Sequence, residues 1–360
     1  MMCPACVAEM PDEDLFCENC GLKLGDPAPE SGGCACGELD EDGYCLSCGR
    51  RVHGSAFQLA EASRPTDPID HIERVLSPRF AAVSDRGRKH LRNEDRFGVF
   101  EAGSGRVLVV CDGVSTSRDA EVASTTVSES VLESLAADLG ATEAGGIADP
   151  AAAVRRAIVA GAARLADSER SEAEDNPPST TVVATLVTAT EATIGWMGDS
   201  RAYWIEFGSG ISDLASAVTL TRDHSWLNDV VGAHELTPEQ AAKSPQAHAI
   251  TRWIGSDAGE ELEVDIVRHT IPANANAILL LCTDGLWNYF PTPEAMAGIV
   301  QTASQNGADA LSLARQLVEF ANRQGGHDNI TAAVLRFGAP ENTESGKDAA
   351  SARKGIENIQ

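Results

Sequence analysis

The sequence predicts an α+β layered sandwich preceded by a small cysteine-rich module, and three observations predict it. Short apolar, strand-like runs come in groups instead of alternating one for one with helices. The long amphipathic segments come in pairs, which places helices together on sheet faces. Eight of the 10 cysteines fall within the first 48 residues, so the chain changes character near residue 50.

At 360 residues and 43% hydrophobic content, the chain can bury a full core in one large domain with a smaller one beside it. Its formal net charge of -26 excludes nucleic-acid backbones and anionic membrane surfaces as partners, because dense phosphate is repelled before contact forms. No apolar run reaches the about 18 residues that a membrane span needs. The start MMCPAC has neither a basic region nor an apolar one, so a cytoplasmic protein is expected.

Residues 1–50 carry Cys3 and Cys6, Cys17 and Cys20, Cys34 and Cys36, and Cys45 and Cys48. A C-x-x-C pair puts two thiolates on one tight turn, and a second pair completes a tetrahedral sulfur cage. The eight cysteines therefore predict a double zinc ribbon with two structural Zn2+ ions. So short a stretch, poor in large apolar side chains, folds only when metal binding and folding are one event. Residues 51–77 carry prolines and weak periodicity and read as a linker. Residues 339–360 are polar without a face to bury and read as a disordered tail.

The main domain is expected over 78–338. RFAAVSD, RFGVFEA and RVLVVCD read as strands. The following helix places Ala123, Val127, Val131 and Leu135 on one apolar stripe. A second helix opens with Asp149 as cap and Pro150 in its first turn. STTVVATLVTAT, ATIGWMGD, RAYWIEF and AVTLT return to strand, helical text covers about 225–243, and ELEVDIVRHTI and NAILLLCTD are strands. Helices near 293–305 and 308–323 precede a last strand, NITAAVLRF.

Asp112, Asp199 and Asp284 each stand where an apolar strand stops, Asp328 stands just before another, and Glu94 and Asp95 open a third. Such carboxylates repel one another if they meet without a counterion. Hard divalent cations resolve that, since Mg2+ and Mn2+ take oxygen ligands and retain waters. Together these residues predict a two-metal site. Cys111 and Cys282 lie inside apolar strand text and read as small core residues. Trp196, Trp204, Trp253 and Trp287 read as packing residues, and Arg201 as a structural partner for carboxylates.

In order, SDRGRKHLRNEDRF, VVCDGVS, PSTTVVATL, GDSRAYW, LTRDHS, HAITRWIGSD, LLLCTDGLW and GGHDNIT resemble the motif series of bacterial-type, metal-dependent phosphatase 2C enzymes. The resemblance spans about residues 79–338. It implies two antiparallel sheets flanked by helices, an αββα sandwich, and removal of phosphate from phosphoserine and phosphothreonine in proteins, the substrates of a serine/threonine kinase. It implies that Asp112 bridges two Mn2+ or Mg2+ ions with the Gly113 carbonyl reaching one through water. Glu94 serves one ion, Asp284 and Asp328 the other, Asp95 acts from behind, and Asp199 with Asp284 holds a third, weaker ion.

The sequence departs from the pattern at three places. The arginine that grips substrate phosphate in many relatives lies five residues before the motif aspartate, where this chain has His90; Arg92, Arg88 and Arg86 are the neighbouring candidates for that role, and His90 is another when its ring is protonated. After Asp112 the chain reads Gly-Val-Ser, and Val114 supplies no proton to a leaving group, which leaves water or another acid; His224 and His327 are candidates by proximity, but each reads first as a surface or hydrogen-bonded structural histidine. His248 stands where relatives often show asparagine. The alternative reading is a catalytically silent scaffold that binds phosphoproteins; silent relatives usually lose metal-binding aspartates, and here all are present.

Overall fold

The chain divides into a unit Met1–Asp67 and a unit Pro68–Gln360. The computed structural model describes residues 69–338, apart from 142–146, 169–175, 209–214, 245, 248, 256–261 and 305–307. The zinc-ribbon cysteines, the expected tail and His248 lie outside the described residues.

One sheet has six strands, in the order β1 (His71–Ser77), β2 (Phe80–Asp85), β13 (Ile330–Phe337), β12 (Ala277–Cys282), β8 (Arg201–Glu206) and β9 (Ser216–Thr219). The other has five, in the order β11 (Asp265–Thr270), β7 (Glu191–Met197), β6 (Val182–Val187), β4 (Gly105–Cys111) and β3 (Arg96–Ala102). Every pairing is antiparallel, and a short ribbon pairs β5 (Ser179–Thr180) with β10 (Ile254–Gly255). The expected α+β sandwich is found.

Successive residues of a strand face opposite sides, so central strands buried on both faces need continuous apolar text. In β12, Leu279 and Leu281 enter a core between the sheets, together with Leu108 and Val110 of β4. Ile278, Leu280 and Cys282 turn outward to the helices α6 (Pro293–Ser304) and α7 (Ala310–Arg323). On the other side Val107, Val109 and Cys111 meet α1 (Ala120–Gly140) and α2 (Pro150–Ser168). The stripe Ala123, Val127, Val131 and Leu135 is fully buried. Asp149 caps α2, its Oδ1 accepting from the Ala152 amide at 3.1 Å. The helical text near 225–243 is two short helices, α3 (Trp226–Gly232) and α4 (Pro238–Ala241), and α5 (Asp284–Trp287) follows β12.

Two expectations need correction. Residues 71–77, read as the end of a linker, form an edge strand. Its burial follows no period of two, so no alternation marks it in the text. Its register against β2 is His71 with Asp85 through Val75 with Ala81. Trp253, read as packing, is 43% exposed, whereas Trp196, Trp204 and Trp287 are buried as expected.

Candidate metal centre

Strand direction gathers the site. Arg96 at the start of β3 pairs with Cys111 at the end of β4. β7 runs parallel to β4, because each is antiparallel to β6, so it ends on the same side. In the other sheet the end of β12 meets the start of β13, with Cys282 opposite Ala332. Glu94, Asp95, Asp112, Asp199, Asp284 and Asp328, placed at these termini, therefore share one end of the sandwich.

Their charges interact. Asp112 is pushed well above the usual carboxylate range by burial first, then by Asp95, Asp284, Asp328 and Asp199. Asp284 is raised by burial and by Asp328, while a hydrogen bond with Asp112 opposes the rise. Asp199 is raised by burial, then by Asp284 and Asp223. These three side chains are surrounded by protein on most sides yet still touch solvent, as does Asp328 at 38% exposure, so the cluster floors an open cleft.

Each carboxylate is built in from behind. The Asp112 carbonyl accepts from the Thr181 amide and the Thr180 hydroxyl, both at 2.8 Å, and its own amide donates to Thr181 Oγ1 at 3.2 Å. At Gly113 a Cβ would lie 2.9 Å from Ala120 Cβ and from the Glu94 carbonyl oxygen, so only glycine lets α1 approach this closely. Asp95 is 1% exposed; its Oδ2 accepts from the Thr283 and Thr331 hydroxyls at 2.8 Å each. Burial pushes its carboxyl up, and its Oδ1 has no partner among the described residues. Glu94 Oε2 accepts from Ser115 Oγ at 2.6 Å.

Asn329 was not singled out from sequence, and it organises one wall. Its Oδ1 accepts from the Glu94 amide at 2.7 Å, and its Nδ2 donates to the Arg86 and Arg92 carbonyls at 2.8 and 2.9 Å. The amide of Asn329 also donates to Asp328 Oδ1 at 2.8 Å. One buried amide thus ties the loop bearing His90 and Glu94 to the Asp328 strand. The signal was available, since Asn329 follows Asp328 directly before a buried strand.

Of the phosphate-binding candidates, His90 reaches the cluster, with Nε2 at 3.2 Å from Asp328 Oδ1. Arg92 points to helix α1, pairing with Glu121 at 2.9 Å, and Arg86 donates to the His90 carbonyl at 2.6 Å. Arg201 is the structural partner expected, donating to both oxygens of Asp223 at 2.9 and 2.7 Å and lying 3.6 Å over the Trp287 ring. Beside the carboxylates opens a cleft of about 410 Å³, lined in part by Asp199, Asp284, Ser225, Asn228 and Asn288.

The donor set fits a hard divalent cation. The candidate donors are oxygens, and Asp95, Asp112, Asp199 and Asp284 are each raised by burial and then by neighbouring carboxylates, which a divalent cation would offset. Among the described residues no three His, Cys, Asp or Glu side chains close on one point as a cage. Mg2+ and Mn2+ need none, because they keep several waters and bind through one or two carboxylates each.

Comparison with known proteins places the chain. A family model described as "Protein phosphatase 2C" matches residues 85–321, more than half of the sequence. The serine/threonine phosphatase stp of Listeria monocytogenes is 28% identical over 74% of this chain and 97% of its own length. The serine/threonine protein phosphatase PstP of Mycobacterium tuberculosis is 31% identical over 72% of this chain and 45% of its own. A crystal structure of the PstP catalytic domain in complex with two manganese ions superposes with a TM-score of 0.54 at 28% identity, covering 75% of this chain and 100% of that one. The chain belongs to the protein phosphatase 2C family.

Proposed function

We propose that this protein hydrolyses phosphoserine and phosphothreonine in phosphorylated proteins at the carboxylate cluster, in a catalytic domain whose core is residues 78–338. The observation that carries the reading is that Asp112, directly after one buried strand, stands among Asp95, Asp199, Asp284 and Asp328 from the termini of separate strands, close enough that their charges add to burial in pushing its carboxyl up. Asp112 would help to hold two Mn2+ or Mg2+ ions, and the Gly113 carbonyl would serve one of them. Glu94 would serve one ion, Asp284 and Asp328 the other, and Asp199 with Asp284 a third; Asp95 acts from behind through its hydroxyl-bonded carboxyl. When bound, such a pair lowers the pKa of a shared water and offsets charge on the phosphoryl oxygens.

The chain's own residues supply the rest. The threonine clamp on the Asp112 backbone and the Asn329 ties fix where the carboxylates stand, so little reorganisation is needed when phosphate arrives. His90, whose Nε2 lies 3.2 Å from Asp328 Oδ1, would bind substrate phosphate when its ring is protonated and has a second N–H to give, and Arg92 on the same loop would add positive charge at the rim. The open cleft next to Asp199 and Asp284 leaves room for the polypeptide that carries the phosphoresidue.

The cysteine-rich residues 1–50 are proposed to fold around two structural Zn2+ ions and to serve either in docking phosphoprotein substrates of a serine/threonine kinase or in regulation, joined through residues 51–77 and with 339–360 as a tail, in the cytoplasm. Among the described residues no helix is long and apolar enough to cross a membrane.

Hydrolysis of 4-nitrophenyl phosphate and of a phosphothreonine peptide tests the activity. Turnover is expected to require added Mn2+ and to fall by about 10²-fold or more in Asp112→Ala and Asp284→Ala, since removing groups that stabilise transition-state charge has effects of this order. No turnover by the intact chain at any Mn2+ concentration, with the fold preserved, would leave a phosphoprotein-binding scaffold.

A further inference from the structure

We infer that His224 is a positioning residue for Asp199, acting as a fixed hydrogen-bond acceptor behind the carboxylate; this rests on the reading of Asp199 as a cation ligand. His224 is 7% exposed and lies 25 residues beyond Asp199, outside the carboxylate cluster. It clamps the residue before Asp199 twice. Its backbone amide donates to the Gly198 carbonyl at 3.0 Å, and its Nδ1 meets the Gly198 amide at 3.0 Å.

A backbone N–H can only donate, so Nδ1 must carry the lone pair, and in a neutral ring the proton then sits on Nε2. On the far side of the ring, Nε2 stands 2.8 Å from Asp265 Oδ2, an acceptor on β11, and 3.1 Å from Arg252 Nη1, which can only donate and lies 3.5 Å from the same Asp265 oxygen. With Nδ1 taken by the Gly198 amide, the Nε2 proton goes to Asp265, and that carboxylate also holds the guanidinium. Trp196 lies parallel to the imidazole, 6.2 Å between centroids, and holds its plane. Asp265 thereby selects the tautomer, and the tautomer holds Gly198.

Gly198 needs holding. It has φ +108, and a Cβ there would lie 2.5 Å from Thr181 Cβ, so the glycine itself cannot fix the turn that delivers Asp199; Trp287 Nε1 holds the Asp199 carbonyl at 3.0 Å on one side and His224 holds Gly198 on the other. The neighbouring Asp223 grips Arg201 from the other side, so Asp223 and His224 brace both flanks of Asp199.

The variants that separate positioning from packing are His224→Asn and His224→Gln in the full chain. Asn Oδ1 occupies the place of Nδ1 and accepts from Gly198 but leaves Asp265; Gln reaches Asp265 but offers Gly198 no acceptor. In ¹⁵N-histidine spectra of the metal-free protein near neutral pH, His224 is expected as the Nε2–H tautomer; an Nδ1–H tautomer or a doubly protonated ring overturns the inference. Hydrogen exchange at the Gly198 amide should be slow in wild type and H224N and about tenfold faster in H224Q, as loss of one buried hydrogen bond implies. The Mn2+ concentration for half-maximal hydrolysis should rise about tenfold in H224Q and less than about threefold in H224N. Equal losses in both variants, or better retention by H224Q, would reduce His224 to a packing residue. If H224Q does not fold, the tautomer and the Gly198 exchange of wild type and H224N decide. If wild type shows no turnover, the phosphatase reading fails while these metal-free measurements still judge His224.

Discussion

Gly285, directly after Asp284, shows how little space the site leaves. A Cβ on Gly285 would lie 1.9 Å from the Asn329 carbonyl oxygen and 3.3 Å from Asp328 Cβ, so Gly285→Ala must displace the strand end that carries Asp328. It is expected to lower stability by about 1–3 kcal/mol, read by urea unfolding, and to cut phosphate-ester hydrolysis in parallel. Thr331→Val removes one of the two hydroxyls that meet the buried Asp95 and should cost about 1–3 kcal/mol, with Asp95 left further short of partners. A stability equal to wild type would mean that Asp95 finds another donor. The clustered carboxylates were legible because an aspartate that stops an apolar strand is conspicuous by type. Their supports were not, since Thr283, Thr331 and Asn329 are ordinary polar residues until the two sheets bring them together. Trp253 failed for the same reason: the residue type says that a ring is apolar, and only the fold says whether anything covers it.

At the scale of elements, central strands and paired helices could be read directly, whereas the edge strand β1 could not. β12 and β4 are buried on both faces and spell this in unbroken apolar text, and the stripe on α1 declares its period. β1 is covered on neither face completely, and it is held by polar contacts that carry no periodic signal. Glu73 accepts from Arg315 of α7 through both oxygens, while His71 bridges Glu73 and Asp85 at 3.0 and 2.7 Å. The hydrogen bond from Arg315 holds the Glu73 carboxyl down at about 2, against 4.5 for the free side chain. A carboxylate with a depressed folded-state pKa contributes stability that is full above its unfolded value and is lost as pH falls towards the folded one. Glu73→Gln should therefore lower the melting temperature by a small amount that is greatest from about pH 5 up to the pH at which His71, raised against its burial by hydrogen bonds to Glu73 and Asp85, loses its proton. The gap between variant and wild type should narrow as pH falls below 4.5, and a gap that widens with acid would show that Glu73 is not held by Arg315 in solution.

At the scale of the whole molecule, the entry of the chain into the catalytic unit bears on the site itself. The Asp70 carbonyl accepts from the Arg86 amide at 2.8 Å, and the Ile69 carbonyl accepts from Asn93 Nδ2 at 3.2 Å, so the residues leading into β1 brace the loop that carries His90 and Glu94. β1 also covers the open edge of β2, and Leu76 packs against the core between the sheets. A boundary near residue 77, natural from composition alone, would remove both. A chain truncated to begin at Pro68 keeps every described element, and its rate on 4-nitrophenyl phosphate should match that of the intact protein. One beginning at residue 78 exposes the backbone hydrogen-bonding edge of β2, a template for pairing between molecules. It also frees the 86–93 loop, and it should melt lower, aggregate and lose most of its activity. With the Pro68 form in hand, a phosphorylated protein substrate tests residues 1–67. Docking by the cysteine-rich unit predicts equal rates on the small ester and a slower rate on the protein in the truncated form, whereas equal rates on both would deny that unit a part in substrate capture.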